Sequence, residues 1–463
     1  MLEPSNASLP RGGLSRIAPF TVVLAMTALA CPAPSGGPAR TGGTTGSGGA
    51  PGSGGTPGSG GAPGSGGATS SGGATSSGGH AATGGAGASP AGGAPSTGGA
   101  PSSTGGAGGA RTGGSSAGGA TGQAGSGPGA GGTTGPSFYI GADITWVQAD
   151  EARGATYSDG TQKEILRLLK DHGFNAIRLR TFVDPRATDG YDKQNGYGDL
   201  AHTITFGTRI KAAGMAFLLD FHYSDNWADP GKQCVPVKWQ GITTIGEMST
   251  AVYDYTKSAL TQLIAAGARP DVVQVGNEIT PGMLIHVCDA DGMPLRNHTI
   301  TGSISNWTNL GSLLKAGVKG VKDVDPTIKT MLHIDRGDDL PASRDFIQKA
   351  MAQGVTFEVF GESCYTAYQG TPTDWTATFT QLAAAFPSLS FVIAEYGPEQ
   401  RAAHDVMFNM ANRRGLGAFN WEPTHAGAWN TGHVLFTVSG NRYTATPDLM
   451  LYDAMKSTYA GRL

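Results

Sequence analysis

Charge is scarce in this sequence: charged residues make up 14% of the chain, the formal net charge is −3, and lysines and arginines form no run. A polyanion partner needs a basic surface whose counterions it can displace, so nucleic acid is not expected. No HxH, HExxH or CxxC spacing occurs, and no GxGxxG or Walker sequence follows an apolar run. These absences remove the usual signatures of a metal centre and of a nucleotide cofactor. No cofactor is expected. Asp289-Ala290-Asp291-Gly292 has a calcium-loop flavour, but its glycine comes too early for an EF-hand, and calcium is left open.

Apolar runs of membrane-spanning length are also missing. The stretch Ile17–Ala30, preceded by Arg11 and Arg16, is too short to cross a bilayer but suits an export signal. Ala28-Leu29-Ala30-Cys31 places small residues before a cysteine, as in a bacterial lipoprotein cleavage box with Ala in place of the usual Leu. Lipidation of Cys31, giving a membrane-anchored surface protein, is the expectation; plain cleavage after Ala30 is its alternative. Of the four cysteines, Cys234, Cys288 and Cys364 then remain, so at most one disulfide forms among them. Cys234 and Cys288 fall in loops after expected strands, which makes them the candidate pair. Cys364 lies within a strand-like run and reads as a buried thiol.

Glycine is abundant, with 75 residues in the chain, most of them before Pro136. Residues 32–136 repeat units such as Gly-Ala-Pro-Gly-Ser-Gly-Gly with almost no apolar surface to offset the entropy of ordering, and read as a disordered linker. As a flexible coil it would reach about 55–60 Å. The expected organisation is therefore an export signal over 1–31, a linker over 32–136 and one folded domain over 137–463, expected to be monomeric.

From Ser137 onward, short β-branched or apolar runs alternate with amphipathic stretches, the pattern that parallel βαβ units require. The runs are Phe138–Ile144, Phe174–Arg180, Met215–His222, Asp271–Asn277, Lys329–Ile334, Phe357–Cys364, Ser390–Glu395 and Leu416–Trp421. Helices are expected between them, for example over Thr161–Asp171 and Leu310–Val321, with Asp448–Tyr459 after the last. His172-Gly173, Ala213-Gly214, Ala266-Gly267 and Arg414-Gly415 read as helix C-caps. Eight such pairs predict an α/β fold, a closed (β/α)8 TIM barrel.

In such a barrel the reactive groups sit at the C-terminal ends of strands. The polar residues there are Asp143, Arg178, Arg180, Asp220, His222, Asn277, Glu278, Glu362, Tyr365, Glu395, Trp421 and Glu422. Val275-Gly276-Asn277-Glu278 ends the fourth run and Ile393-Ala394-Glu395 the seventh, so two carboxyls can face one bond across the barrel mouth, as glycoside hydrolysis needs. A separation near ~5–5.5 Å makes such an enzyme retaining. Arg178 and Arg180 share a face by period two, and either could steady Glu395, the other serving a structural ion pair. His222 reads as a substrate-hydroxyl contact, with a plain barrel-mouth histidine as the alternative. Trp227, Trp239, Trp421 and Trp429 follow strands, where indoles pack on sugar faces; ordinary core packing competes for some of them. Glu362 and Glu422 are read as structural carboxylates.

Gly141-Ala142-Asp143-Ile144, Leu219-Asp220-Phe221-His222-Tyr223-Ser224-Asp225 and Val275-Gly276-Asn277-Glu278-Ile279-Thr280 together resemble glycoside hydrolase family 53, the arabinogalactan endo-β-1,4-galactanases. The resemblance runs from about Phe138 to Tyr459. It implies Glu278 as acid/base, Glu395 as nucleophile, and Asn277 as the contact to the substrate 2-hydroxyl. His222, Arg178 and Trp421 would line the cleaved subsite. Asp143, Tyr365, Trp227 and Trp239, from their place at or after strand ends, are read as further binding residues. The implied substrate is the β-1,4-galactan side chain of pectin, cut internally without a cofactor. The chain departs from the family pattern at Cys364-Tyr365-Thr366, Ile285 and Asn420, which leaves the substrate length preference, and with it the sugar itself, open. A related barrel glycosidase acting on mannan, xylan or β-glucan is the nearest alternative. A non-catalytic carbohydrate-binding protein is the alternative from another class, and the paired glutamates argue against it.

Overall fold

The computed structural model describes residues 137–425 and 435–463. The export signal, Cys31, the linker and Trp429 lie outside the described residues. Among the described residues, eight strands close into one parallel barrel: β1 (Tyr139–Asp143), β2 (Ala176–Thr181), β3 (Ala216–Phe221), β4 (Val272–Val275), β5 (Lys329–Ile334), β6 (Val359–Cys364), β7 (Ser390–Tyr396) and β8 (Gly415–Trp421), with β8 pairing back onto β1. All eight coincide with the runs read from the sequence.

The helices that follow them are α1 (Ile165–Asp171), α2 (Leu200–Ala212), α3 (Ile245–Ala265), α4 (Trp307–Val324), α5 (Leu340–Ala352), α6 (Pro372–Ala385), α7 (Gln400–Phe408) and α8 (Pro447–Thr458). Two local readings are corrected. The helix expected from Thr161 begins only at Ile165, because Gln162–Lys163 pair with Tyr157–Ser158 and Glu164 caps the helix by accepting from the Arg167 amide. Gly173, Gly214 and Gly267 take the positive φ of helix C-caps, but Gly415 does not; it opens β8, where a Cβ would lie 2.0 Å from the Met407 carbonyl oxygen. That glycine serves close approach, not capping.

Because side chains alternate along a strand, each barrel strand sends one set inward and one set toward the helices. The inward set forms two layers. The lower is apolar and includes Tyr139, Ala176, Leu218, Val272, Met331, Val359 and Val392. Above it the same period brings in Asp143, Arg178, Asp220, Gln274, His333 and Ser363, all buried. The outward set, with the apolar helix faces, builds the larger core.

One irregularity aims the site. Along β6 and β7, Glu362 pairs with Ile393 but Ser363 pairs with Glu395, so Ala394 is an extra residue. Ala394 lies in the interior layer and Glu395 follows it inward. Tyr396 instead faces outward, its hydroxyl 2.7 Å from that of Tyr452 on α8. A bulge of this kind re-aims a side chain without interrupting the sheet.

The barrel seam is also a close approach: Gly417 has φ +119°, and a Cβ there would sit 2.0 Å from the Tyr139 carbonyl oxygen. Gly417→Ala is therefore expected to cost more than about 2 kcal/mol in urea unfolding. Gly241→Ala, with nothing within 4 Å of its Cβ, should stay within about 0.5 kcal/mol of the parent. Equal midpoints for the two variants would show that the seam can open.

Candidate active site

Arg178 stands at the centre of the polar layer, 1% exposed. Its Nη1 donates to Asp143 (2.7 Å) and Glu395 Oε1 (2.9 Å), and its Nη2 to Asp220 (2.8 Å) and Asn277 Oδ1 (2.8 Å). Nε and Nη2 also reach Gln274 Oε1, at 3.3 and 3.2 Å. A guanidinium is a rigid fork of donors with no acceptor, so one side chain orients all these groups. Arg180 takes the structural alternative: it bridges the other oxygen of Asp143 (2.9 Å) and Glu422 (2.6 Å). Asp143 is thereby wholly enclosed between two arginines and has no face for a ligand.

Glu395 receives a second hydrogen bond from the Tyr365 hydroxyl, 3.0 Å from Oε2. Burial pushes its pKa up, Arg178 pulls it back, and the net displacement is upward. Glu278 has no guanidinium on it. Its carboxyl meets the Ser363 hydroxyl at 2.6 Å, and its pKa is pushed well above the ordinary carboxyl range by burial first, then by the negative charges of Glu395 and Asp335. The two carboxyls therefore lie within one field, and their environments separate them: one is held by a cation, the other is inclined to keep a proton.

Backbone strain helps to deliver Glu278. After β4 ends at Val275, Gly276 takes φ +85° and Glu278 φ +43°, a left-handed conformation that costs a non-glycine residue about 1–3 kcal/mol. The turn breaks the strand alternation, so the adjacent Asn277 and Glu278 both serve the site. Asn277 Nδ2 donates to the Ala228 carbonyl at 2.8 Å, which commits one of its two hydrogens. Gln233, from the loop after β3, donates to the backbone carbonyl of Asn277 at 2.9 Å. The next residue, Cys234, is bonded to Cys288, so the candidate disulfide forms and ties the loops after β3 and β4 together. Cys364 is the buried free thiol.

Several expectations need revision. His222 has both ring nitrogens engaged, Nδ1 accepting from the Ala228 amide (2.9 Å) and Nε2 against Asp220 (3.1 Å), so no nitrogen is left for a substrate hydroxyl. Trp239 is buried in the outer core against Tyr255 and leaves the set of sugar platforms. Trp227 and Trp421 do meet, with ring centroids 6.2 Å apart, and Trp146 joins both at 5.6 and 5.4 Å. Arg180 lies 4.2 Å from the Trp227 ring, so one structural cation props this half-exposed aromatic group. Asp289 Oδ1 accepts from the amides of Asp291 and Met293 and closes a hairpin turn. Glu362 and Glu422 are held by protein groups, Ser343 with the Arg336 amide and Arg180 with the Trp146 amide, and burial pushes each up to about 8.

Gln274, His333, Ser363 and Trp146 escaped the sequence reading. The first three had a signal: a polar residue at an inward position of an otherwise apolar strand.

A family model described as glycosyl hydrolase family 53 matches residues 139–414. An uncharacterised protein of Niallia circulans is 40% identical over 237 residues, which cover 51% of this chain and 61% of that protein's length. An arabinogalactan endo-β-1,4-galactanase of Thermothelomyces thermophilus is 29% identical over 344 residues, 65% of this chain and 96% of that one. Among solved structures, the family 53 catalytic domain of Ignisphaera aggregans superposes with a TM-score of 0.59 at 30% identity, covering 68% of this chain and 95% of that one. A fungal β-1,4-galactanase gives 0.57 at 26% identity, covering 67% and 98%.

Replacing Arg178 leaves buried carboxylates without their cation. Arg178→Lys keeps the charge but loses the fork, and unfolding in urea should register about 3–5 kcal/mol of destabilisation. A loss below about 1 kcal/mol would mean the carboxylates find other partners, against the central place given to this residue.

Proposed function

Because the chain belongs to glycosyl hydrolase family 53, we propose that it is a retaining, endo-acting hydrolase of β-1,4-galactosidic bonds in galactan and type I arabinogalactan, working without a cofactor and as a monomer. The arrangement that carries the reading is one pair of carboxyls in unlike settings: Glu395 on Arg178 and Tyr365, Glu278 on Ser363 alone. The names of the Thermothelomyces and Bacillus subtilis relatives, both β-1,4-galactanases, support the substrate.

In this reading, Glu395 attacks the anomeric carbon while Glu278 gives its proton to the departing glycosidic oxygen, leaving a covalent galactosyl ester. Glu278, now ionised, takes a proton from water as that water cleaves the ester, and both residues return to their starting forms. The uncommitted Nδ2 hydrogen of Asn277 meets the substrate 2-hydroxyl, and the Trp146, Trp227 and Trp421 group receives a sugar face. The 1–31 segment directs export, Cys31 anchors the protein to a membrane surface, and the 32–136 linker spaces the hydrolase domain, 137–463, away from it. Arg11, Arg16 and the Ala28–Cys31 box support the first two steps. No described helix is long and apolar enough to cross a membrane.

Glu395→Ala and Glu278→Ala should each lower kcat on potato galactan by at least about 10³-fold with the fold retained. Added azide should restore turnover to the first with inverted product configuration. Release of reducing sugar from mannan, xylan or β-glucan, but not galactan, would reassign the substrate and leave the chemistry standing. The pH profile follows from the directions above. Glu395 must be ionised, so activity falls as pH drops through its pKa; Glu278 must be protonated, so activity falls as pH rises through its own, and both limbs should lie above the ordinary glutamate value. Cys31→Ser should move activity from the membrane fraction to the medium; unchanged partition removes the anchor.

A further inference from the structure

The buried polar chain between Arg178 and Glu278 has a direction that its donors and acceptors determine. Arg178 can only donate, so the end of the Asn277 amide facing it is Oδ1; Nδ2 faces the Ala228 carbonyl. His333 Nδ1 lies 3.0 Å from that same Oδ1, which cannot donate, so the contact requires a proton on Nδ1. Gln274 Nε2 also lies 3.1 Å from Nδ1, but its two hydrogens already face three oxygen acceptors, Asp220 Oδ1 (2.6 Å), the Gly276 carbonyl (3.0 Å) and Asn277 Oδ1 (3.1 Å). His333 is fully buried, and burial together with the positive Arg178 pushes it well below the ordinary histidine range, so it stays neutral. Its Nε2 is then a bare acceptor, 3.0 Å from Ser363 Oγ.

Ser363 Oγ is also 2.6 Å from Glu278 Oε1. A hydroxyl has one hydrogen. If Glu278 is protonated, it donates to Ser363, Ser363 donates to His333, and every group is matched. If Glu278 is ionised, the serine hydrogen turns to the carboxylate and His333 Nε2 is left buried without a donor, which is costly. A serine that donated to Glu278 alone would lower the pKa of that carboxyl; His333 Nε2 competes for the same hydrogen.

We propose that His333, acting through Ser363, is a positioning residue that keeps Glu278 in its protonated, acid-competent form between turnovers. The inference rests on Glu278 being the acid/base. Other ionisable groups also face this chain: Glu395 from β7, Asp335 after β5, Asp229 after β3 and Tyr365 after β6 around Glu278, and Arg178, Asp220 and His222 around His333. They are unchanged in the variants below, so the differences report the chain alone.

In the full-length wild-type protein, ¹⁵N NMR of His333 should show Nδ1 protonated and Nε2 bare at neutral pH; a proton on Nε2 overturns the proposal. In the pH dependence of kcat/KM on galactan, Ser363→Ala should move the alkaline limb to lower pH, and His333→Phe should move it further, by about one unit, because the serine hydrogen then serves the carboxylate alone. A limb that moves up in Ser363→Ala is the mark of a serine donating permanently to the carboxylate and overturns the assignment. Should His333→Phe fail to fold, the serine variant, which removes a single oxygen, and the wild-type spectrum still decide. Titration of the Glu278 carboxyl by ¹³C NMR must give the same order without any substrate. If that order holds while galactan is not cleaved, the proposed substrate fails and this inference stands.

Discussion

The guanidinium of Arg178 is the group on which the rest of the site is built. Three carboxylates from three strands converge on it, Asp143 from β1, Asp220 from β3 and Glu395 from β7, together with the amides of Gln274 and Asn277 from β4 and the turn after it. Keeping these acids ionised while buried needs a cation, because an unpaired charge in a dry interior is far costlier than a paired one. Arg180 repeats the device one layer higher, pairing with Asp143 and Glu422 and propping Trp227 from below. Around the barrel mouth Asp143, Asp220, Glu395 and Glu422 are thus each fixed by at least one arginine, and Glu278 is not. That exclusion sets up the chemical asymmetry between the two glutamates.

Much of this was legible in the sequence because it follows from periodicity. Eight apolar runs spaced by amphipathic stretches have few solutions other than a closed barrel, and carboxyls that end the fourth and seventh runs must sit at its mouth. The match of Arg178 to Glu395 followed from alternation along β2, though alternation alone could not choose between Arg178 and Arg180. What escaped were features that depend on the third dimension. Trp239 follows a strand as Trp227 does, but a short 3₁₀ turn over Val237–Trp239 lays its ring into the outer core. His222 sits in a segment that reads as ligand-binding, yet the loop returns an amide at Ala228 to occupy its Nδ1. No local sequence pattern records where a loop will bring its backbone back.

Glu278 combines several unfavourable conditions: a left-handed backbone, a nearby like charge and partial burial. Such a residue persists only where the surroundings over-determine it. Here they do, through Gln233 on the backbone carbonyl of Asn277, the Cys234–Cys288 bond behind it and Ser363 on the carboxyl. The cost is borne by the scaffold.

The extra residue at Ala394 has a consequence for anyone who would transplant this site. Substituting side chains along β7 leaves Glu395 facing the interior, because its orientation is stored in the count of residues between two hydrogen-bonded pairs and not in their identity. A graft onto a regular eight-stranded scaffold would reproduce every named residue and still turn that carboxylate toward the helices, with Tyr396 in its place. The geometry of the site is in this sense partly a matter of arithmetic along one strand, invisible to any comparison that scores residue types alone.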